Sequence, residues 1–430
     1  MFCCSNSTCD SAPAPFVTTV SRTPARGLPM RILIALVALL LPLPALADEA
    51  SGRPVTLLVS IDGFRPDYLE RGFTPRLKAL AEAGASGEMR PSFPTKTFPN
   101  HYAIVTGKRP DRNGVVGNSM MDPGRPDVMF RMSDPRQTLD PFWWDEAEPI
   151  WVTAEKAGLR TATMFWPGSE VAIRGTRPAD WLRFDQNIGN VQRVNTVLDW
   201  LRRPAEIRPA FATLYFDTVD TQGHRFGPDS DEVNAALAEV DERMGDLLDG
   251  IAAMGVAVNL VITADHGMRE VSADRVIQLD TMLDQGLYIP VETGPYAAIE
   301  PRTGQEDAVA GVLLQSHDHM TCTRKGDLPE RLHYGSNPRV AAIICIAEDG
   351  WTILAGEPRY PVAGGAHGYD NADPEMLALF IASGPDFTSG TRLPVFDNVT
   401  VAALLRAVMG LPQDEDSDGK LEDVSAALKR

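Results

Sequence analysis

Cysteine is scarce in this chain: 5 in 430 residues, three of them (Cys3, Cys4 and Cys9) within the first ten positions. A disulfide-scaffold fold is therefore excluded, and the composition excludes disordered and collagen-like chains as well. Basic charge is short too, with 40 Lys and Arg against 58 Asp and Glu, a net charge of −18. Such a chain lacks the basic face that a sequence-independent nucleic-acid coat needs. Long apolar runs are missing: Ile32 to Leu41 is too short and too soon followed by Pro42 and Pro44 to span a membrane. There is no internal repeat and no low-complexity segment. What remains, 44% hydrophobic and 23% charged, is ordinary globular composition. Its length suits two or three units, or one large α/β domain with an insertion.

The first 47 residues stand apart. Met30-Arg31, the apolar run to Leu41 and the small-residue end Ala45-Leu46-Ala47 have the three-part pattern of a secretory signal peptide. The expectation is that residues 1–47 are removed, with Met30 a possible start, and that 48–430 is exported to a periplasmic or extracellular space. No cysteine follows the cut, so a lipid anchor is not indicated. Cys322 and Cys345 are then the two remaining thiols, and an oxidising compartment predicts a disulfide between them, buried free thiols being the alternative.

Past Asp48, continuous apolar strands alternate with amphipathic helices. Val55–Ile61, Phe211–Phe216, Asn259–Thr263 and Leu377–Ala382 read as core strands, and Asp229–Met254 as a long helix with one apolar face. This predicts an α/β fold with a mostly parallel sheet covered by helices on both faces. Ligands bind such sheets beyond the carboxyl ends of the strands. Three strands run into acids there, at Asp62, Asp217 and Asp265. Residues 285–360 break the rhythm and read as a small cap or insertion. Near the end, Asp414-x-Asp416-x-Asp418-Gly419 opens like a calcium loop, but its twelfth position is Ser425 rather than Glu, so a solvated acidic turn is expected.

Only seven histidines serve the whole chain, so their neighbours are informative. Asp220 and His224 lie four apart after a strand, Asp265-His266-Gly267 closes another, and Gly364-Gly365-Ala366-His367-Gly368 presents a third imidazole in a glycine-rich loop. With Asp62 these make three carboxylates and three imidazoles at one sheet edge, a mixture that suits zinc better than manganese or iron. Six ligands are too many for one tetrahedral ion and fit two sites of three. His317 and His319 are expected on the surface. Thr97, at the start of a predicted helix, is either an ordinary cap or a nucleophile. Asn118, after Gly117, is either a turn residue or a neutral donor to an oxyanion.

The motifs Asp62-Gly63-Phe64-Arg65, Lys96-Thr97-Phe98-Pro99-Asn100-His101, Val116-Gly117-Asn118-Ser119, Asp220-x-x-x-His224-x-x-Gly227-Pro228, Asp265-His266-Gly267-Met268 and Gly365-x-His367-Gly368 appear in that order. Together they resemble the nucleotide pyrophosphatase/phosphodiesterase family of the alkaline phosphatase superfamily. The resemblance runs from Asp62 to about Phe387 and implies an alkaline-phosphatase-like catalytic domain with two zinc ions. It implies that Asp220, His224 and His367 hold one ion, and that Asp62, Asp265 and His266 hold the other, which also binds Thr97. One departure is Asn113-Gly114, where the family often has His-Gly.

The function implied is hydrolysis of phosphodiester or pyrophosphate bonds of small nucleotides to nucleoside 5′-monophosphates through a phosphothreonine. Asn118 and the amide of Phe98 are expected to hold phosphoryl oxygens, with the Phe98 ring and Trp181 flanking the base; Trp181 as plain packing is the alternative. The apolar Phe98 and neutral Asn118 favour a diester, whereas Lys96, if it reached the phosphate, would favour a monoester. The competing class is another superfamily hydrolase acting on phosphomonoesters, phosphonates, or choline-type and glycerophospho-diesters. A non-catalytic zinc protein is the third, and a nucleophile beside open metal sites argues against it.

Overall fold

Val55–Ile61 (β1) is buried at every position, as a strand covered on both sheet faces must be. The computed structural model describes residues 52–358 and 361–429, so the expected signal segment, its three cysteines and the boundary at residue 47 lie outside the described residues. Numbered in chain order, the other strands of the main sheet are Ala85–Arg90 (β2), Thr161–Met164 (β3), Asp180–Leu182 (β4), Phe211–Phe216 (β5) and Val258–Thr263 (β6). The insertion carries Tyr288–Glu292 (β7), Tyr296–Pro301 (β8), Met320–Arg324 (β9) and Ile343–Ala347 (β10). The main sheet then resumes with Ala378–Ser383 (β11), Thr391–Arg392 (β12) and Phe396–Asp397 (β13).

The main sheet runs β12-β2-β11-β6-β1-β5-β3-β4, with β13 also on β2. Neighbours pair in parallel except at β11, which is antiparallel to both β2 and β6. That exception matters for the site. Because β11 runs the other way, the loop before it lies at the edge where β1, β5 and β6 end. Register brings those ends level, Ile61 opposite Phe216 and Ser60 opposite Thr263.

Helices Pro75–Ala83 (α1), Asn190–Leu201 (α3) and Thr218–Phe226 (α4) each pack against Asp231–Met254 (α5), while Thr97–Thr106 (α2) packs against Thr400–Met409 (α7). α5 starts at Ser230, whose hydroxyl accepts the Val233 amide, and ends at left-handed Gly255. The sheet is thus α/β and mostly parallel, as expected, with one reversed strand. Among the described residues no helix is long and apolar enough to cross a membrane.

The insertion is a four-stranded antiparallel sheet, β7-β8-β10-β9, with helix Glu306–Leu313 (α6) and an apolar cluster that reaches back to Ile277. Cys322 and Cys345 face each other across β9 and β10 and form a disulfide. His319 stacks on Trp351 and pairs with Glu348, apart from the sheet edge of interest. The 414–418 turn is exposed at Glu415 and Asp416, as expected of a solvated acidic turn, and it is also paired. Both carboxylate oxygens of Asp416 and of Asp418 are taken by Lys108, Arg112 and the Arg109 amide, so the turn clasps the segment after α2.

Candidate active site

Asp62 follows β1 directly, and Gly63 turns the chain with φ +70°, a left-handed conformation that glycine adopts without strain. A Cβ at Gly63 would stand 3.1 Å from the Asp220 backbone, so the turn sets the end of β1 against α4. On α4, Asp220 and His224 are one turn apart and share a face. Asp265 and His266 follow β6. At Gly267 a Cβ would meet the Glu375 carbonyl oxygen at 1.9 Å, so only glycine lets this turn pack on the loop leading to β11. His367 comes from that same loop.

The three histidines share one arrangement. Nδ1 of His224, His266 and His367 lies 2.8, 2.9 and 2.7 Å from the carbonyl oxygens of Gly365, Gly267 and Thr95. A carbonyl can only accept, so each Nδ1 carries a proton and each Nε2 is the ring nitrogen turned away from it. Those Nε2 atoms face the carboxylates: His224 to Asp220 at 3.5 Å, His367 to Asp220 at 3.9 Å, His266 to Asp265 at 2.9 Å and to Asp62 at 3.5 Å.

Asp62, Asp220 and Asp265 each keep one buried oxygen with no hydrogen-bond partner. A buried oxygen of this kind is costly unless something positive satisfies it. Burial, then the neighbouring Asp265 and Asp220, pushes the Asp62 carboxyl well above the ordinary range. Burial also works to raise Asp265, but His266 and His101 outweigh it and hold Asp265 well below its usual value. His367 is driven down by burial and by His266, His224 and Lys96, which keeps it neutral as a metal ligand must be. Unpaired carboxylate oxygens facing imidazole Nε2 atoms, each imidazole fixed by a carbonyl behind it, fit divalent metal binding.

The grouping differs in detail from the expected sets. The tightest triads are Asp220 with His266 and His367, and Asp62 with His101 and Asp265. His266 stands between the groups, its ring stacked on His367 with centroids 3.4 Å apart. His101, unassigned from sequence, has both nitrogens engaged: Nδ1 lies 2.9 Å from the Thr97 carbonyl and Nε2 2.8 Å from the Ser60 hydroxyl. It braces the Thr97 backbone and offers no free lone pair. The signal was its position four residues after Thr97 on one helix. Tyr215 was also missed; its hydroxyl donates to Asp62 Oδ2 at 2.6 Å.

Thr97 is the first residue of α2, with Lys96 at the cap position, and its Oγ1 lies 3.3 Å from His266 Nε2. Asn118 comes within reach of it through an unexpected bond. The Phe98 amide donates to Asn118 Oδ1 at 2.9 Å, which orients Asn118 and leaves its Nδ2 donors for another acceptor. Lys96 does not stand free either. Its ammonium lies 3.7 Å from Glu292 of β7, both side chains being about nine-tenths buried.

A cavity of about 350 Å³ opens beside Thr97, lined among others by Phe98, Trp144, Trp166, Glu170, Phe184 and Tyr215. Phe98 is backed by Phe130 and Trp144, and Phe184 by Phe165 and Tyr215. Trp181 does not line it. Trp181 is exposed on β4, with the Arg177 guanidinium over its ring, and Phe184, three residues on, lines the cavity instead. No residue of the 285–358 segment lines this cavity.

Residues 56–370 match the model of the type I phosphodiesterase/nucleotide pyrophosphatase family. Over 382 residues the chain is 36% identical to a bis(5′-adenosyl)-triphosphatase of Xenopus laevis, covering 88% of this chain and 82% of the relative. It is 38% identical to an uncharacterised pyrophosphatase/phosphodiesterase of Schizosaccharomyces pombe, covering 83% and 77%. Among solved structures, human ectonucleotide pyrophosphatase/phosphodiesterase 5 superposes with a TM-score of 0.84 at 33% identity, over 88% of this chain and all of that one. An inactive threonine-to-alanine variant of the murine protein, in complex with AMP, gives 0.83. The chain belongs to the nucleotide pyrophosphatase/phosphodiesterase family of the alkaline phosphatase superfamily, hydrolases of phosphoric diester and nucleotide pyrophosphate bonds.

Proposed function

We propose that this chain is an exported, zinc-dependent enzyme that cleaves small nucleotides joined through phosphodiester or pyrophosphate bonds, releasing nucleoside 5′-monophosphates. The observation that carries the reading is the set of three unpartnered carboxylate oxygens facing three imidazole Nε2 atoms beside Thr97. In this reading Asp220, His224 and His367 hold one zinc, and Asp62, Asp265, His266 and Thr97 the other. When bound, two such ions supply Lewis-acid charge that makes the threonine hydroxyl a better nucleophile and stabilises the departing oxygen.

The residues do the rest. Thr97 Oγ1 bonds to phosphorus as the bond to the leaving oxygen breaks, and water later cleaves the phosphothreonine. Asn118 Nδ2, oriented by the Phe98 amide, holds a non-bridging oxygen as charge develops there. Phe98 and Phe184 give the cavity two aromatic surfaces for a base. Support for nucleotides comes from relatives: one is named for a bis(5′-adenosyl) triphosphate, and another binds AMP. The Cys322–Cys345 disulfide supports export, since such bonds persist in oxidising compartments.

One experiment tests the reading. A nucleoside 5′-monophosphate aryl ester, a simple aryl diester and an aryl monoester are compared before and after chelation, in the parent and in Thr97→Ala. The nucleotide ester should be cleaved fastest, chelation should abolish turnover, and Thr97→Ala should lose on the order of a thousandfold or more in kcat. Fastest cleavage of the monoester would favour the phosphomonoesterase alternative, and near-normal turnover by Thr97→Ala would sink the covalent route.

A further inference from the structure

The insertion sheet sits against the loop that carries Asn118, and it grips that loop at buried points. The Tyr334 hydroxyl donates to the Val116 carbonyl at 2.7 Å, and Arg339 Nη1 to the Gly114 carbonyl at 2.9 Å. Glu292 does more than these. Pairing between β7 and β8 shifts register between Pro290 and Glu292, and a shift of this kind re-aims a side chain. Glu292 Oε2 accepts the Ser119 amide at 3.2 Å, and the Asn118 amide is directed at the same carboxylate. Oε1 faces the Lys96 ammonium at 3.7 Å. One carboxylate therefore touches the backbone of the oxyanion donor and the residue before the nucleophile.

Lys96 is placed where its charge would count. Its stem and ammonium lie against Gly368, next to His367. In so buried a place an ammonium without a counter-charge would add a strong positive field at the phosphoryl position. Such a field favours the substrate with more negative charge. A phosphomonoester dianion carries one charge more than a diester.

We propose that Glu292 is a positioning and specificity-determining residue of this active site: it orients the Asn118–Ser119 amides and neutralises Lys96, so that the site discriminates against a phosphoryl group bearing a second negative charge. The insertion, on this account, is a brace behind the oxyanion donor and a charge filter for the substrate. This inference rests on the phosphodiesterase reading above.

The test uses the zinc-loaded protein and compares kcat/KM for an aryl ester of a nucleoside 5′-monophosphate and for an aryl phosphate monoester. Glu292→Gln keeps an oxygen for the two amides and removes the charge. The monoester-to-diester ratio should rise about tenfold in Glu292→Gln and fall in Lys96→Met, because the two lose opposite charges. The double variant Lys96→Met/Glu292→Gln should lie between the single variants. For the positioning role, diester kcat should fall further in Glu292→Ala, which removes the acceptor, than in Glu292→Gln. Ratios that do not move, or that move the same way in both single variants, overturn the proposal. If Glu292→Gln does not fold, because breaking a buried pair is costly, Lys96→Met must still show a lower ratio than the double variant. A parent enzyme that prefers the monoester would overturn the phosphodiesterase reading itself; a diester-preferring parent with unmoved ratios would overturn only this inference.

Discussion

Three histidines from three different segments use the same device, a backbone carbonyl behind Nδ1 and a carboxylate before Nε2. Histidine next to aspartate at a strand end already points to a metal, and those residues were legible in the sequence. Tyr215 and Glu292 were not, because nothing local marks them: one is the fifth residue of an ordinary strand, and the other ends a strand of the insertion. The aromatics proposed to face a base divide in the same way. Phe98 adjoins Thr97 and could be assigned, whereas the choice between Trp181 and Phe184 depends on how the chain leaves the edge strand toward the cavity. Phe184→Ala should lower kcat/KM for a nucleotide ester by about tenfold, one lost base-stacking contact being worth about 1–3 kcal/mol. It should affect a base-free diester less. Trp181→Ala should change neither by more than about twofold. Equal losses in the two variants would mean that the cavity is not the base site.

At the scale of elements, the reversed strand β11 delivers His367 to the same edge as Asp62 and Asp265, which end parallel strands. Its apolar run was readable; its direction was not, since a buried strand has the same composition either way. The edge strand β4 is tied down differently, through Asp180, which bridges Arg160 at 2.9 Å and Arg203 at 2.7 Å. Partial burial works to raise the Asp180 carboxyl, but the two guanidiniums outweigh it and hold it below its ordinary value. A carboxyl depressed in the folded state stabilises the fold above its unfolded pKa of about 3.9 and loses that contribution as pH falls through the folded value. Asp180→Asn should therefore melt below the parent at neutral pH. The gap should close between about pH 5 and about pH 2. Thermal melts across that range check it, and a gap that does not shrink in acid would show that the carboxylate charge is not what matters.

For the whole molecule, net charge is a poor guide to substrate. The described body is acidic, yet the proposed substrate is an anion, and the two are reconciled only within the crevice. There the three unsatisfied carboxylate oxygens repel one another until a cation joins them. This links metal to stability without any appeal to activity. Protein stripped by a chelator should melt lower than zinc-loaded protein, by on the order of 5 °C at zinc concentrations about a hundredfold above the dissociation constant. Zinc added back should restore the higher value. Identical melts with and without zinc would remove the metal from the account of this site.

What the amino-acid order determined by itself is chemical. It set which residues carry carboxylates, imidazoles and a hydroxyl at strand and helix ends, and it set the alternation that makes an α/β sheet. These follow from side-chain type and local periodicity, which neighbours in sequence decide. Tertiary structure alone decided that β11 runs backwards, that Phe184 and not Trp181 faces the cavity, that the Phe98 amide orients Asn118, and that the insertion sends Glu292 to Lys96. Each of these depends on contacts between segments far apart in the chain, through strand register, packing and burial, and no local pattern encodes such contacts.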